Sequence, residues 1–120
     1  MNRTALTLIA CLATLNTATA QRTLEVVESA AEVALSHVEL PTSESGTVTT
    51  KTCGTCPSAF HRVTSATRYI VDGRELPLAD FVSVADEIRA IRNADERTLV
   101  GVFVDRESGS VTRIALLRPR

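Results

Sequence analysis

All fourteen acidic side chains of this 120-residue chain lie beyond Gln21. Ahead of that point, Arg3 is followed by an uncharged run over 5–13. The segment then closes on Ala18-Thr19-Ala20, with small residues at the two positions a signal peptidase reads. This is the layout of a secretory leader, too short and too rich in Thr to span a bilayer. The segment also lacks the polar face that a surface helix would turn to water. Residues 1–20 are therefore expected to be removed, leaving residues 21–120 to fold as a single α+β domain. A domain of that size buries only roughly 60% of its unfolded surface, so its stability margin is modest.

Leu8-Ile9-Ala10-Cys11 resembles the lipobox of bacterial lipoproteins, whose Cys becomes the acylated first residue. Cleavage there leaves about half a dozen apolar residues after Arg3, short for a leader core of ~7–15. Cleavage after Ala20 is preferred, and Cys11 belongs to no soluble core in either case. After export the chain carries twelve basic and fourteen acidic side chains, a net charge of −2. With aromatics at 3% of the chain, it lacks the basic surface and stacking rings of a nucleic-acid binder. A hydrophobic fraction of 44% excludes a disordered chain. Residues 21–50 hold one Arg against five Glu, while residues 51–120 hold eleven basic against nine acidic side chains. That asymmetry predicts charge pairing within the molecule.

Segment 24–40 has two readings. Leu24, Val27, Ala31, Leu35 and Val38 recur at helical spacing, but the Val content fits two strands, 24–28 and 32–40, joined at Ser29-Ala30. Strands are preferred, because a turn-rich loop at 41–46 leads to a β-branched run at 47–52 that completes a hairpin. Farther on, 63–71 reads as a strand ending in Arg68-Tyr69-Ile70-Val71. Asp72-Gly73 then makes a type I′ turn into Arg74-Glu75-Leu76. Pro77 ends that strand and suits the start of a helix. Leu78, Phe81, Val82, Ala85, Ile88 and Ile91 form its apolar face, Asp80 and Arg89/Arg92 complement its dipole, and 93–95 stop it. Residues 98–104 and 111–117 make a closing hairpin. The expected fold is α+β: a small, mostly antiparallel β-sheet with one amphipathic helix packed across it.

Cys53-Gly54-Thr55-Cys56-Pro57 is the one motif capable of redox or metal chemistry. Its two thiols are the only ones left after export, so they are expected to pair. A structural disulfide in a loop between strands is the preferred reading. A thiol–disulfide exchange site is the second, since C-x-x-C dithiols serve that chemistry. Against it, the residues after Pro57 look like a strand and not the helix whose dipole would stabilise a thiolate. Zinc held by Cys53, Cys56 and His61, with His37 or a partner chain as fourth ligand, is the third. Zinc wants four ligands as a rule, and oxidation removes the thiolates it needs. Covalent haem fails because Pro57 stands where His is required. His37 and His61 otherwise read as strand residues with one face in water. Asp86-Glu87 and Asp95-Glu96 read as solvated surface, since adjacent helix positions do not face each other. No cofactor is expected, and no catalytic residue can be named.

C-x-x-C, then Thr67-Arg68-Tyr69-Ile70-Val71-Asp72-Gly73, Leu78-Ala79-Asp80-Phe81 and Val111-Thr112-Arg113-Ile114, in that order, resembles a group of small uncharacterised exported proteins of proteobacteria. The resemblance covers roughly residues 50–117. It implies export and a bacterial source, and brings no activity with it. Twelve Arg to one Lys also fits a GC-rich bacterial genome. The expectation is a small periplasmic or secreted protein that contacts a protein partner through a sheet edge or the C-x-x-C loop, with no membrane span once the leader is gone.

Overall fold

The computed structural model describes residues 27–119. The leader, Cys11 and the start of segment 24–40 lie outside the described residues. The chain runs through Glu28–Ala34 (β1), a 3-10 turn at Leu35–His37, Val38–Glu39 (β2), Thr47–Thr50 (β3) and Ala59–Arg62 (β4). It continues through Arg68–Val71 (β5), Arg74–Leu76 (β6), Leu78–Arg89 (α1), Ala94–Arg97 (α2), Leu99–Asp105 (β7) and Val111–Leu117 (β8). The α+β class holds, with the strands divided between two sheets. One has five strands in the order β1-β7-β8-β5-β6, and the other three in the order β2-β3-β4. All pairings between these strands are antiparallel except β5 with β8.

The parallel pair explains where the helix sits. A parallel neighbour cannot be reached through a tight turn, so the chain must cross the sheet between β5 and β8. α1 lies in that crossover and covers one face. On that face Val33, Val100, Leu116 and Val71 stand opposite one another, and the next row is Val102, Ile114, Tyr69 and Leu76. Phe81, Ala85 and Ile88, at positions i, i+4 and i+7 of α1, close over them and are buried. The Phe81 and Tyr69 rings meet at 5.4 Å between centroids. Leu35, Val38, Val48 and Val63 join the same cluster, so both sheets share one core.

Segment 24–40 departs from its expected outline. β1 runs without interruption through Ser29-Ala30, and the break falls at Leu35–His37. Ala34 pairs with Leu99, the first residue of β7, so β1 has no partner beyond it. Leu35 N–H turns to Thr98 O at 2.9 Å, and the chain passes into the second sheet, where β2 and β3 form the expected hairpin. The 63–71 strand is likewise shorter than expected. Thr67 N–H bonds Thr64 O in a turn, and the buried Thr67 hydroxyl donates to Val111 O at 2.7 Å, which holds that turn against β8. α1 ends at Arg89, and Ile91, expected on its buried face, is 60% exposed. Asn93 adopts the left-handed conformation at φ 60° as expected of a stop, but the short α2 follows at once.

On the uncovered face of the large sheet, the Phe103 ring leans over Gly101, where a Cβ would lie 3.1 Å from it. Arg113 sits 4.0 Å from the centroid of that ring and 3.5 Å from Glu28. Thr112 also donates to the Glu28 carboxylate, at 2.6 Å. Glu28 is thus one acidic residue of the N-terminal third that pairs with the basic remainder.

The Asp72-Gly73 turn has positive φ at both residues, 47° and 84°, as a type I′ turn requires. Asp72 also accepts two hydrogen bonds from Arg118, from the backbone N–H and from Nε, and so fastens the tail beyond β8. The Arg118 hydrogen bond is the main reason that the Asp72 carboxyl titrates below its ordinary value near 3.8. A lowered folded-state pKa contributes stability above the unfolded value, and that stability disappears as pH falls through the folded one. Asp72→Asn keeps a residue that tolerates the left-handed turn. It is expected to melt below the parent at pH 6, with the gap narrowing as pH falls below the ordinary carboxyl value near 3.8. Thermal melts across that range check this, and a gap that stays constant in acid contradicts it.

Candidate functional site

Cys53 and Cys56 are joined as expected, in the loop between β3 and β4, with Cα atoms 5.0 Å apart. Cys56 N–H donates to Cys53 O at 3.2 Å, so the bridge staples a turn that the backbone already makes. Both residues are half-buried. Pro57 follows, and the chain enters β4 after one more residue; no helix starts at the motif. A thiolate there would receive none of the helix-dipole stabilisation that lowers the pKa of exchange cysteines. Cys53 Sγ has the Thr55 hydroxyl 3.6 Å away.

The bridge flanks an open cleft of about 430 Å³ whose lining includes His37, Lys51, Gly54, Ser58 and Phe60. Two elements build it: the 3-10 turn carrying His37, whose carbonyl accepts from Lys51 N–H at 3.0 Å, and the start of β4. Strand alternation explains Phe60. Val48 and Thr50 on β3 point into the core, so Thr49 and its partner Phe60 point outward, and Phe60 is 70% exposed. His61 faces the other way, opposite Val48. Among the described residues no three His, Cys, Asp or Glu side chains gather into a set able to hold a metal ion. The side chains of the zinc reading, Cys53, Cys56, His61 and His37, are not brought together as one set. The sulfurs are spent on each other, and the two histidines come from different elements, with His37 on the 3-10 turn and not on a strand.

A second cleft was not foreseen. The loop at 41–46 and α1 flank an open cleft of about 750 Å³, lined by Leu40, Pro41, Leu78, Val82 and Arg89 among others. It meets a smaller hollow of about 350 Å³ at Glu44, Pro77 and Leu78, and Tyr69 lines that hollow. Tyr69 is 5% exposed, and its hydroxyl has no hydrogen-bond partner among the described residues. Burial pushes its ionisation above the ordinary phenol value, and the Glu44 charge pushes in the same direction. The signal for this cleft lay in the strand pattern. Tyr69 occupies a core-facing position, two residues before Val71, where a phenol must bury its oxygen.

Comparison with protein-family models, curated proteins and solved structures finds no significant match to this chain. Among the described residues, no helix is long and apolar enough to cross a membrane.

Proposed function

We propose that this is an exported bacterial protein that acts by binding another protein, through the β4 edge and Phe60 beside the disulfide-clamped loop. The observation that carries this reading is the placement of Phe60. A large ring stands in solvent on an edge strand whose free side, among the described residues, is bridged only where Arg62 meets Ser110. Strand edges offer unpaired backbone groups to a partner, and aromatic rings supply the anchoring area of such contacts. The bridge fits this role, because a stapled turn holds the start of β4 and lowers the ordering cost of binding. A photo-reactive residue at position 60 is expected to crosslink one defined protein in the native cell envelope, and the same residue at position 91 is not. Equal crosslinking at both positions overturns the reading. Export itself is tested by N-terminal sequencing: a chain starting at Gln21 supports it, and a cytosolic chain retaining Met1 refutes it.

A second reading keeps the same two sulfurs as a thiol–disulfide exchange site, favoured by the cationic Lys51 in the cleft beside the half-exposed bridge. One pair of measurements separates the two. As a structural clamp on a four-residue loop, the bridge contributes on the order of 2 kcal/mol. The double variant Cys53→Ser/Cys56→Ser is then expected to melt lower by several degrees, while the intact protein fails to catalyse insulin reduction. Turnover of insulin by the parent, lost in the variant, establishes exchange chemistry.

A further inference from the structure

We infer that the outer edge of β1 binds an extended segment of a partner protein, in which apolar and basic side chains alternate along one face. This edge belongs to the large sheet and does not depend on the β4 contact proposed above. β1 is seven residues long and ends the strand order, with β7 as its one strand partner among the described residues. It carries no Pro, no Lys and no bulge, devices that commonly blunt a strand edge. Hydrogen bonds at its two ends fix which backbone groups are free. Arg106 N–H donates to Val27 O at 3.0 Å, and Leu35 N–H donates to Thr98 O at 2.9 Å. Both fall in the β1–β7 register, where every second residue bonds across the pair. The odd-numbered residues are thus spent on β7. Glu28, Ala30, Glu32 and Ala34 turn N–H and C=O outward, where an added strand can pair with them.

The side chains set what that strand carries. Val33 lies in the core, so Ala30, Glu32 and Ala34 stand on the uncovered face. Ala30 pairs with Phe103, and Ala34 pairs with Leu99, which is 45% exposed. The short methyls leave space beside those larger groups for apolar side chains of an incoming strand. Between them, Glu32 is exposed and in no ion pair among the described residues. Its row continues into Gly101 and Ala115, neither of them charged. The cations near this edge are matched. Arg113 is held by Glu28, Arg106 adjoins Asp105, and Arg97 shares α2, which packs against β1, with Asp95 and Glu96. The edge is therefore acidic on balance, with Glu32 at its middle.

The same acids exclude a second copy. Two β1 edges related by a two-fold axis pair antiparallel, most fully when centred on Ala30, Ala31 or Glu32. Centring on Ala30 sets Glu28 against Glu32, and centring on Glu32 sets it against itself. Centring on Ala31 places each Glu32 diagonally between Glu28 and Glu32 of the other copy. Like charges so placed destabilise pairing, whereas a basic side chain opposite Glu32 stabilises it.

Two capped seven-residue peptides test the inference. Each has Leu at its second and sixth positions and Thr elsewhere, except that one has Lys and the other Glu at the fourth. Paired antiparallel, their second, fourth and sixth residues fall opposite Ala34, Glu32 and Ala30. In NMR titrations of the purified protein, the Lys peptide is expected to bind with a Kd of roughly 0.1–1 mM. The Glu peptide is expected to bind at least about fivefold more weakly. Glu32→Lys should reverse that order and leave the melting temperature unchanged, because Glu32 is exposed. Methylating the backbone nitrogen of the fourth residue, which faces β1, should abolish binding. Methylating the third, which faces away, should preserve it. Bound peptide should slow amide exchange at Ala30 and Glu32, which exchange faster than Ala31 and Val33 in the free protein. Equal binding of the two peptides overturns the inference, as does an unchanged order in Glu32→Lys or indifference to the site of methylation. So does the absence of Lys-peptide binding up to about 10 mM. Protection of Ala30 and Glu32 that fades when the free protein is diluted would place a second copy on this edge, and overturns it too.

Discussion

Phe81→Ala is expected to cost the protein about 3–5 kcal/mol, the range for removing a large buried ring. Phe81 is fully buried on the core face of α1, with Tyr69 as its ring neighbour across the helix–sheet boundary. A small domain has about 5–15 kcal/mol in total, so this one change consumes a large share of the margin. The melting temperature should fall by roughly 15 °C or more. Phe60→Ala removes the same side chain from a 70% exposed position and is expected to stay within about 0.5 kcal/mol of the parent. Denaturant unfolding of the two variants side by side checks both statements. Comparable losses would mean that Phe60 is covered in the folded protein, and the partner-binding role of β4 would fall with its exposure.

Arg89→Met should destabilise by about 2 kcal/mol, and the loss should be localised. Arg89 leaves the last turn of α1 and donates to Val38 O at 2.6 Å and, less closely, to Leu35 O at 3.5 Å. It thereby ties the helix to the connection between the two sheets. Met preserves the packing of the stem while removing the donors. Those carbonyls belong to the 3-10 turn and β2, which also hold Lys51 N–H and the β3 register. Hydrogen exchange is expected to quicken first at Leu35, Val38 and Lys51, while β7 and β8 keep their protection. Uniform loss of protection across both sheets would show that the arginine supports the whole core and not this joint.

Local chemistry explains which parts of the fold were legible in advance. Asp72-Gly73 announces its turn because few residue pairs accept positive φ twice in succession. α1 and the β7–β8 hairpin carry their own periodicity, and Cys53 and Cys56, the only cysteines among the described residues, sit three positions apart in one loop. Two of the misplaced boundaries depend on distant partners. The end of β1 is set by where β7 begins, some sixty-five residues later, and the turn at 64–67 by a hydroxyl that reaches Val111. Ile91 fits the helical period yet lies past the last residue of α1.

The candidate sites divide in the same way. The disulfide was readable because its partners are three residues apart. Phe60, Phe81 and Phe103 are alike in composition but end in solvent, in the core and under an arginine. The Glu44–Tyr69 cleft needs a loop, a hairpin and a helix brought together, and no short stretch of chain encodes that meeting. From the amino-acid order alone came the α+β class and, as products of contacts within a few residues, the tight turn, the helix and the sulfur pairing. Tertiary structure alone decided the division into two sheets, the parallel β5–β8 pairing, the exposed ring and the unpartnered phenol. Strand partners are chosen by burial summed over the whole core, a quantity no local window contains.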